Sequence, residues 1–257
     1  MNNDLALVIV SCDKYKDVLP VTLKQYEKIN FFSNIKKYLV CNDEINISDN
    51  WNIINYKEDI SWSNNLITAL ACINENNLIL FLEDIYLENI LDIKLLENAI
   101  NKIINNETYF VKIENVPTPT IGYDENYGVY ELGSPYSVSV LGIWNKKILK
   151  KLLSFGENAW DFEINASYRS KILANTFATK KPIFQYINLI EKGKWHKDLS
   201  KEFILSIGLD HNKRKFNNYL GLWFNTLKSV LFILMNKINW RIRVRFVSLI
   251  KKIFSTY

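Results

Sequence analysis

The stretch LALVIVSCD, residues 5–13, decides the fold of this chain. Six apolar residues follow one another without a polar interruption, and the run then ends in Ser11, Cys12 and Asp13. An uninterrupted apolar run of this length is typical of a parallel strand that is buried on both faces. The small and polar residues after it predict a functional loop at the carboxyl edge of the sheet.

Working outward from this strand, apolar runs alternate with helical patterns over roughly the first 115 residues. The segments are DVLPVTLKQYEKI (17–29, helix), KKYLVCND (36–43, strand), WNIINY (51–56, strand), SWSNNLITALACINE (61–75, helix), NLILFLEDIYL (77–87, strand), ILDIKLLENAINKIINN (90–106, helix) and TYFVKIENV (108–116, strand). Ser61 or Ser63 is the candidate N-cap of its helix. Such alternation predicts an α/β fold, a mostly parallel sheet flanked by helices, in which ligands bind at the carboxyl ends of the strands.

The second half of the chain is less regular. Residues 117–134 contain prolines, glycines and tyrosines without a period, which predicts a long loop over the site. YSVSVLGIW (136–144) alternates like a strand, and two helical patterns follow at 146–160 and 159–173.

The charge distribution separates the end of the chain from the rest. The 257 residues carry a net charge of +5, but His211 to Tyr257 hold ten Lys or Arg and no Asp or Glu. This end mixes basic with apolar residues and has no run of 18 apolar residues, so it predicts basic amphipathic helices in an anionic membrane interface. We therefore expect a domain over 1–205 and a membrane-association tail over 206–257. The alternative is a pair of helices packed on the domain; nucleic-acid binding is disfavoured because the tail is too apolar.

The compartment is indicated by the cysteines and the amino terminus. Cys12, Cys41 and Cys72 have no CxxC spacing and no histidine nearby, which favours free thiols in a reducing compartment. Residues 1–10 lack the basic region of a signal peptide. The expectation is a cytoplasmic protein, peripheral on the inner face of the plasma membrane.

Glu83 and Asp84 form the strongest local signal, because they end an otherwise apolar strand. Burying unpaired charge there is unfavourable, whereas two carboxylates at a sheet edge can hold Mg²⁺ or Mn²⁺ and leave positions open for phosphates. The alternative is a pair of acids that caps the next helix or lies in solvent.

A second acidic group lies in ENAWDFE, residues 157–163. Asp161 and Glu163 stand beside Trp160 and Phe162, and this apolar setting would raise the pKa of a carboxyl that serves as general base. Two residues apart, the two acids would share a face on a strand and diverge on a helix. The alternative is a helix start whose acids favour the helix dipole.

Two further segments supply candidate ligand contacts. In EKGKWHKD (191–198), Lys194 can meet a diphosphate, and His196 can bind a metal or a phosphate, although a solvated loop is the simpler interpretation. After the first strand, Asp13 can accept hydrogen bonds from a uracil or ribose, or it can be a helix N-cap. Dinucleotide, P-loop, zinc-protease and hydrolase motifs are absent from the sequence.

Taken in order, VIVSCDKY, YLVCND, W-S-x-x-L-x-x-A-L, ILFLEDIYL, YSVSVLGIW, AWDFE and GKW resemble bacterial GT-A-type glycosyltransferases of lipopolysaccharide and capsule clusters, over about residues 5–200. The resemblance implies that Asp13, with Ser11, lies at the nucleotide and that Trp62 belongs to the donor site. Asp84 with Glu83 would stand in for the Asp-x-Asp metal motif, from which Glu-Asp-Ile-Tyr departs. Asp161 or Glu163 would be the base of an inverting reaction, and Lys194 would lie on a loop that closes over the diphosphate.

The sequence therefore predicts a glycosyltransferase that uses a nucleotide-diphosphate sugar and Mn²⁺ or Mg²⁺ to extend a surface-glycan or lipid-linked acceptor. Two alternatives stay open. A nucleotidyltransferase would use the same acid pair and release pyrophosphate, and a catalytically inactive domain would dock on the membrane as a scaffold for glycan assembly.

Overall fold

The structure is a computed structural model that describes residues 4–217, apart from 43, 44, 46, 115, 135, 174 and 175. Most of the predicted tail, from 218 onward, lies outside the described residues. The division into a 1–205 domain and a 206–257 tail accordingly stays a prediction.

Strands and helices alternate through the first half of the chain. The strands are β1 (Leu5–Val10), β2 (Lys36–Cys41), β3 (Trp51–Asn55), β4 (Asn77–Leu82), β5 (Ile85–Ile90), β6 (Phe110–Lys112), β7 (Ile121–Gly122), β8 (Tyr127–Val129), β9 (Gly142–Asn145), β10 (Thr176–Thr179), β11 (Phe184–Asn188), β12 (Ile190–Glu191) and β13 (Lys194–Trp195). The α-helices are α1 (Leu19–Glu27), α2 (Trp62–Cys72), α3 (Ile93–Ile104), α4 (Lys146–Leu152), α5 (Ala159–Arg169) and α6 (Lys201–Ser206).

One nine-stranded sheet dominates the described part of the chain, in the order β3-β2-β1-β4-β9-β6-β10-β8-β7. Strands β1 to β4 are parallel, and β6, β7 and β10 run in the same direction, whereas β8 and β9 run against them. The expected α/β fold with a large, mostly parallel sheet flanked by helices is therefore confirmed.

The apolar run that begins the chain explains how both faces of the sheet are covered. Leu5, Leu7 and Ile9 point into a core that includes residues of α1 and α3. The alternate residues of β1 point into a second core with residues of α2, α4 and α5. Because each residue of β1 is buried, the strand has no polar face, as expected for a central parallel strand.

The structure differs from the expected elements in the segment 77–87. The chain does not form one strand there: β4 ends at Leu82, Glu83 and Asp84 form a turn, and β5 leaves the main sheet to pair with β11. The physical reason is the acid pair, since its two carboxyl groups interrupt the apolar run at the sheet edge. Ser61 is confirmed as the N-cap of α2, because its hydroxyl accepts a hydrogen bond from the Asn64 N–H at 3.2 Å.

A third, smaller core joins the end of the described chain to the domain. It contains Val18, Trp195, Ile204 and Leu209, with Phe216 packed against it. Trp195 forms a parallel bridge with Phe216, so residues up to Asn217 lie against the strands of the 190–195 hairpin. No described helix is long and apolar enough to cross a membrane.

Candidate functional site

The carboxyl ends of β1 and β4 lie side by side and define the candidate site. Val10 is paired with Leu82 in the parallel register, so Ser11 and Glu83 begin neighbouring loops. Ser11 is buried and its N–H donates to Val40 O at 2.8 Å, which continues the pairing with β2. Asp13 begins a short 3₁₀ turn and is exposed. The strand order thus brings together the predicted residues Ser11, Asp13, Glu83 and Asp84.

Glu83 is buried and Asp84 is half-buried at this edge. Burial raises the pKa of Asp84 from 3.8 to about 6. Burial, and then the charge of Asp84, raise the pKa of Glu83 well above its usual range. Two such groups hold protons or attract a cation, because the low-dielectric surroundings disfavour a double negative charge.

Arg214 interacts electrostatically with both acids. Its positive charge lowers the pKa of Glu83 and of Asp84, against the effect of burial. Its guanidinium forms a bidentate ion pair with Asp17, in which Nε donates to Oδ2 at 2.8 Å and Nη2 donates to Oδ1 at 2.6 Å. It also donates to Lys14 O and to Gly193 O, and it lies 5.2 Å from the ring centre of Tyr15. One side chain from the end of the described chain therefore fixes the loop after β1.

A cleft of about 730 Å³ opens at the loop after β1, and we call it the basic cleft. Its lining residues are Asp13, Lys14, Lys16, Asp17, Lys192, Gly193, Lys194, Lys213, Arg214 and Lys215. Seven of them are cationic and two are acidic, and one of the acids is neutralised by Arg214. A concave surface with this excess of Lys and Arg suits an anionic ligand such as a diphosphate.

Lys194 reaches this cleft from a β-hairpin. The predicted solvated segment instead forms β12 and β13, joined by Lys192 and Gly193, whose φ angles are +51° and +76°. Two consecutive positive φ angles are typical of the tight turn that matches the twist of a hairpin. The Leu189 N–H donates to Asp84 O at 2.8 Å, so the hairpin is attached to the acid pair.

Tyr56 contacts the beginning of the loop after β1. The Tyr56 hydroxyl donates to Ser11 O at 3.1 Å. Its pKa is raised by burial and then by the charge of Asp59. The pKa of Cys12 is raised by burial, followed by the charge of Glu83, which argues against a thiolate nucleophile there.

Glu163 lies in a second polar pocket, between α5 and the segment before β9. Its carboxylate accepts hydrogen bonds from Ser139 Oγ at 2.8 Å and from Val140 N at 3.0 Å. Burial nevertheless raises its pKa, and the charge of Glu114 raises it further. Lys112 partly offsets this effect. This carboxyl has the raised pKa expected of a general base.

Asp161 has a different environment, because residues 159–169 form a helix and not a strand. Its N–H donates to the N-cap residue Asn158 at 2.8 Å, and its carboxylate accepts from Asn158 Nδ2 at 2.8 Å. The helix therefore sends the two acids in different directions, with Asp161 at its N-terminal turn and Glu163 against Ser139 and Val140.

Trp62 is the first residue of α2 and packs against Phe162, with 5.3 Å between the ring centres. Its indole N–H is buried and has no hydrogen-bond partner among the described residues. Trp62 thus faces the helix that carries Glu163.

Two tyrosines interact with charged groups of the candidate site. The pKa of Tyr26 is raised by burial, then by the charges of Asp84 and Tyr186. The Tyr26 side chain lies in the apolar core, and its hydroxyl donates to Ile85 O at 3.3 Å. The Tyr186 hydroxyl donates to Glu114 Oε1, and the charge of Glu114 raises the pKa of Glu163.

A divalent cation fits Glu83 and Asp84 in one respect. Mg²⁺ is often held by one or two carboxylates together with substrate phosphates, and Glu83 and Asp84 are two adjacent carboxyl groups at the sheet edge. Within residues 4–217, however, the described side chains form no group of three potential His, Cys, Asp or Glu ligands. His196 lies 3.6 Å from Asp198 Oδ2 and does not join the acid pair in such a group.

Two functional candidates could not be read from the sequence. Arg214 was counted only within the basic tail, because its partner Asp17 is 197 residues away. Lys112 lies inside an apolar strand, and in the structure it is buried and donates to Val116 O at 2.6 Å and to Tyr136 O at 2.8 Å. The sequence signal that could have identified Lys112 is its position as a charged residue in an otherwise apolar strand.

No protein family and no curated protein matches the sequence. Among solved structures, S. aureus TarS 1–349 in complex with UDP-GlcNAc is similar, with 13% identity and a TM-score of 0.51, over 80% of this chain and 68% of that chain. Another structure of TarS 1–349 has 12% identity and a TM-score of 0.46, over 70% of this chain and 59% of that one. UTP-bound UGPase from Acinetobacter baumannii has 10% identity and a TM-score of 0.46, over 79% and 92%.

The chain thus spans less than two thirds of the TarS 1–349 chain in the second of these comparisons. At 13% identity the likeness to the UDP-GlcNAc complex shows a shared fold alone, and that fold is consistent with the expected GT-A-like architecture.

Proposed function

We propose that this protein is a glycosyltransferase that takes a sugar from a nucleotide-diphosphate donor. The observation that carries the proposal is the basic cleft at the carboxyl edge of a mostly parallel sheet, whose Arg214 also lowers the pKa of Glu83 and Asp84 through its charge. Lysine and arginine side chains in such a cleft can stabilise a departing diphosphate. The similarity in fold to TarS bound to UDP-GlcNAc supports a nucleotide-sugar donor.

Each part of the site has a role in this proposal. Ser11 and Asp13 would meet the nucleoside, Trp62 would border the sugar, and Lys194 with its neighbours in the basic cleft would stabilise the departing diphosphate. Glu83 and Asp84 would hold Mn²⁺ or Mg²⁺, which when bound supplies positive charge to the phosphate oxygens.

Glu163 is the proposed base. It takes the proton from the acceptor hydroxyl as the acceptor oxygen bonds to the anomeric carbon, and the bond from that carbon to the diphosphate oxygen breaks. Direct displacement of this kind inverts the anomeric centre. Asp161 is the less suitable base, because it is engaged with the N-cap of its own helix.

The acceptor is proposed to be a surface glycan, such as lipopolysaccharide or capsule, or its lipid-linked precursor. The sequence of the tail, which favours an anionic membrane surface, supports a peripheral position on the cytoplasmic face of the plasma membrane.

Thermal unfolding of the purified full chain with nucleoside diphosphates and nucleotide sugars, with and without Mn²⁺, tests the donor site. A ligand that binds only the folded state raises the unfolding temperature, by mass action. We expect one nucleotide class to do so, with a larger shift in Mn²⁺ and a smaller one in Asp84→Asn and Lys194→Ala. The matched control is Lys181→Ala, an exposed lysine outside the basic cleft.

Two other outcomes contradict the proposal. No shift with any nucleotide in a folded sample favours the non-catalytic scaffold. Release of pyrophosphate from a nucleoside triphosphate, in place of nucleoside diphosphate from a nucleotide sugar, favours a nucleotidyltransferase, for which the basic cleft is equally suitable.

A further inference from the structure

Three aromatic side chains, on α5 and on the loop between α4 and α5, are exposed to solvent. Phe155 is 76% exposed, Trp160 is 64% exposed and Tyr168 is 40% exposed. Large apolar side chains that lie together on a surface mark an interaction site more often than isolated ones do.

This exposure does not come from a loose segment. The loop that carries Phe155 is fixed to α2, since Gly156 N donates to Asn64 Oδ1 at 2.9 Å and Glu157 N donates to Ser63 Oγ at 3.0 Å. Arg169 fixes the other end, because its Nε donates to Leu152 O at 2.8 Å and joins the end of α5 to the end of α4. Phe155 is therefore held outward by hydrogen bonds on both sides of the loop.

Three exposed lysines lie on α4, the helix that ends three residues before Phe155. Lys147, Lys150 and Lys151 are exposed and lie three and four residues apart, so they share one side of α4. None of the acidic residues between 146 and 173 is exposed: Glu157 is buried and paired with Arg169, and Asp161 and Glu163 are partly buried. We call Lys147, Lys150, Lys151, Phe155 and Trp160 the lysine–aromatic face.

We propose that the lysine–aromatic face docks on an anionic lipid bilayer, in addition to any contact made by the tail. Phe155 and Trp160 would enter the interface between headgroups and acyl chains, where aromatic rings are favoured, and the three lysines would meet anionic headgroups. This inference does not rest on the proposed activity.

The chemistry of the face selects the bilayer over the other possible occupants. The chain's own residues 218–257 hold Lys and Arg but no Asp or Glu, so like charges would oppose their packing on α4. A second copy of this face would meet the same repulsion. An anionic surface satisfies both the lysines and the exposed rings.

The test places an environment-sensitive nitrobenzoxadiazole label at residue 155 of the full chain. The exposed Cys72 is replaced by Ser, the label is attached to Phe155→Cys, and the Cys72→Ser parent is carried through labelling as a blank for the other thiols. The control label is at Ile93→Cys, which is 51% exposed on α3, the helix that packs on the opposite face of the sheet.

We expect vesicles of phosphatidylcholine with phosphatidylglycerol to shift the emission at position 155 to the blue, and brominated lipids to quench it. Phosphatidylcholine alone should do neither, and the label at 93 should not respond. Lys150→Ala should move the midpoint of the vesicle titration about fivefold higher, which is the effect of losing one juxtamembrane charge. Lys94→Ala, on α3, should leave the midpoint unchanged.

Four results would overturn the proposal. The first is no change at 155 when the protein binds the vesicles, which leaves the tail as the docking element. The second is an equal response at 93. The third is a label at 155 that is already in an apolar environment before vesicles are added, which means that the tail or a second copy covers the face. Failure of the full chain to bind anionic vesicles also overturns it.

Discussion

Asp84 shows how one buried carboxyl group can serve both stability and ligand binding. Its pKa is raised from 3.8 to about 6, mainly by burial, so the folded chain holds this proton more tightly than the unfolded chain does. The resulting stabilisation is complete below about pH 4 and is lost as the pH rises through about 6. A residue under this constraint gains most from a bound cation at neutral pH.

The first prediction concerns the pH dependence of Asp84→Asn. The amide resembles the protonated acid, so the variant should match the wild type below about pH 4 and be more stable by ~1–3 kcal/mol at pH 8. Urea unfolding at several pH values measures the difference, and Asp13→Asn, at an exposed position, is the control. A difference that does not change with pH would show that Asp84 is not buried in this way.

A second prediction separates the two acids of α5. Glu163→Gln keeps an acceptor oxygen for Ser139 and Val140 but removes the base, so turnover should fall by about 10²- to 10⁴-fold while donor binding is kept. Release of nucleoside diphosphate from the donor identified by thermal unfolding, in the presence of a membrane extract, measures turnover. Asp161→Asn is the matched control and should lose much less activity; the reverse order would assign the base to Asp161.

The acids at the sheet edge could be predicted from the sequence, but the base could not be resolved. Glu83 and Asp84 interrupt an apolar run, and the amino-acid sequence alone shows this pattern. The choice between Asp161 and Glu163 depends on helical geometry and on contacts from residues 139 and 140, which the order of residues does not contain.

At the scale of elements, the parallel half of the sheet was predictable and the other half was not. Strands β1, β2 and β4 are largely apolar segments of six residues, with α1 between β1 and β2 and α2 before β4, whereas β3 follows β2 with no helix among the described residues between them. Strands β7 and β8 have two and three residues, too few for a period, and their pairing depends on distant partners such as β10. The expected long loop over 117–134 contains both of them, and its role as a lid stays a prediction.

The hairpin at 190–195 and the segment that carries Arg214 act together as one element, and this yields a third prediction. Arg214→Lys cannot keep two parallel hydrogen bonds to Asp17, because an ammonium group lacks the planar fork. The variant should lose ~1–3 kcal/mol of stability and bind the nucleotide more weakly, since the loop of Lys14 and the turn at Gly193 are both released.

A double-mutant cycle with Asp17→Asn measures this coupling by chemical unfolding. An interaction energy of ~1 kcal/mol or more is expected, as for contacting charged groups. Lys213→Ala is the control, because Lys213 also lines the basic cleft. Additive effects of Arg214→Lys and Asp17→Asn would mean that the pair does not hold the two segments together.

For the whole molecule, the decisive feature is the contrast between an acidic domain and a basic end. The sequence places this boundary only approximately. In the structure, Phe216 pairs with Trp195, the Asn217 side chain donates to Glu191 at 2.7 Å, and Arg214 binds Asp17. Residues 212–217 therefore contribute to the domain, and the membrane-binding part of the tail is expected to begin after them.

This yields a prediction about where the chain can be shortened. Residues 1–217 should fold with nearly the stability of the full chain, whereas 1–211 should lose ~2 kcal/mol or more, because Arg214 and Phe216 are removed from partly buried positions. Thermal unfolding of the two truncated chains measures this difference. Equal stability of both would mean that residues 212–217 are not part of the domain.

The same truncated chain tests the tail. With residues 218–257 removed, sedimentation with anionic vesicles should fall strongly, and what remains should depend on the lysine–aromatic face and weaken further with salt. Adding Lys150→Ala to the 1–217 chain should therefore reduce the remaining binding, whereas adding Lys94→Ala should not. If 1–217 binds as tightly as the full chain, residues 218–257 are not the membrane anchor, and their seven basic residues require another partner.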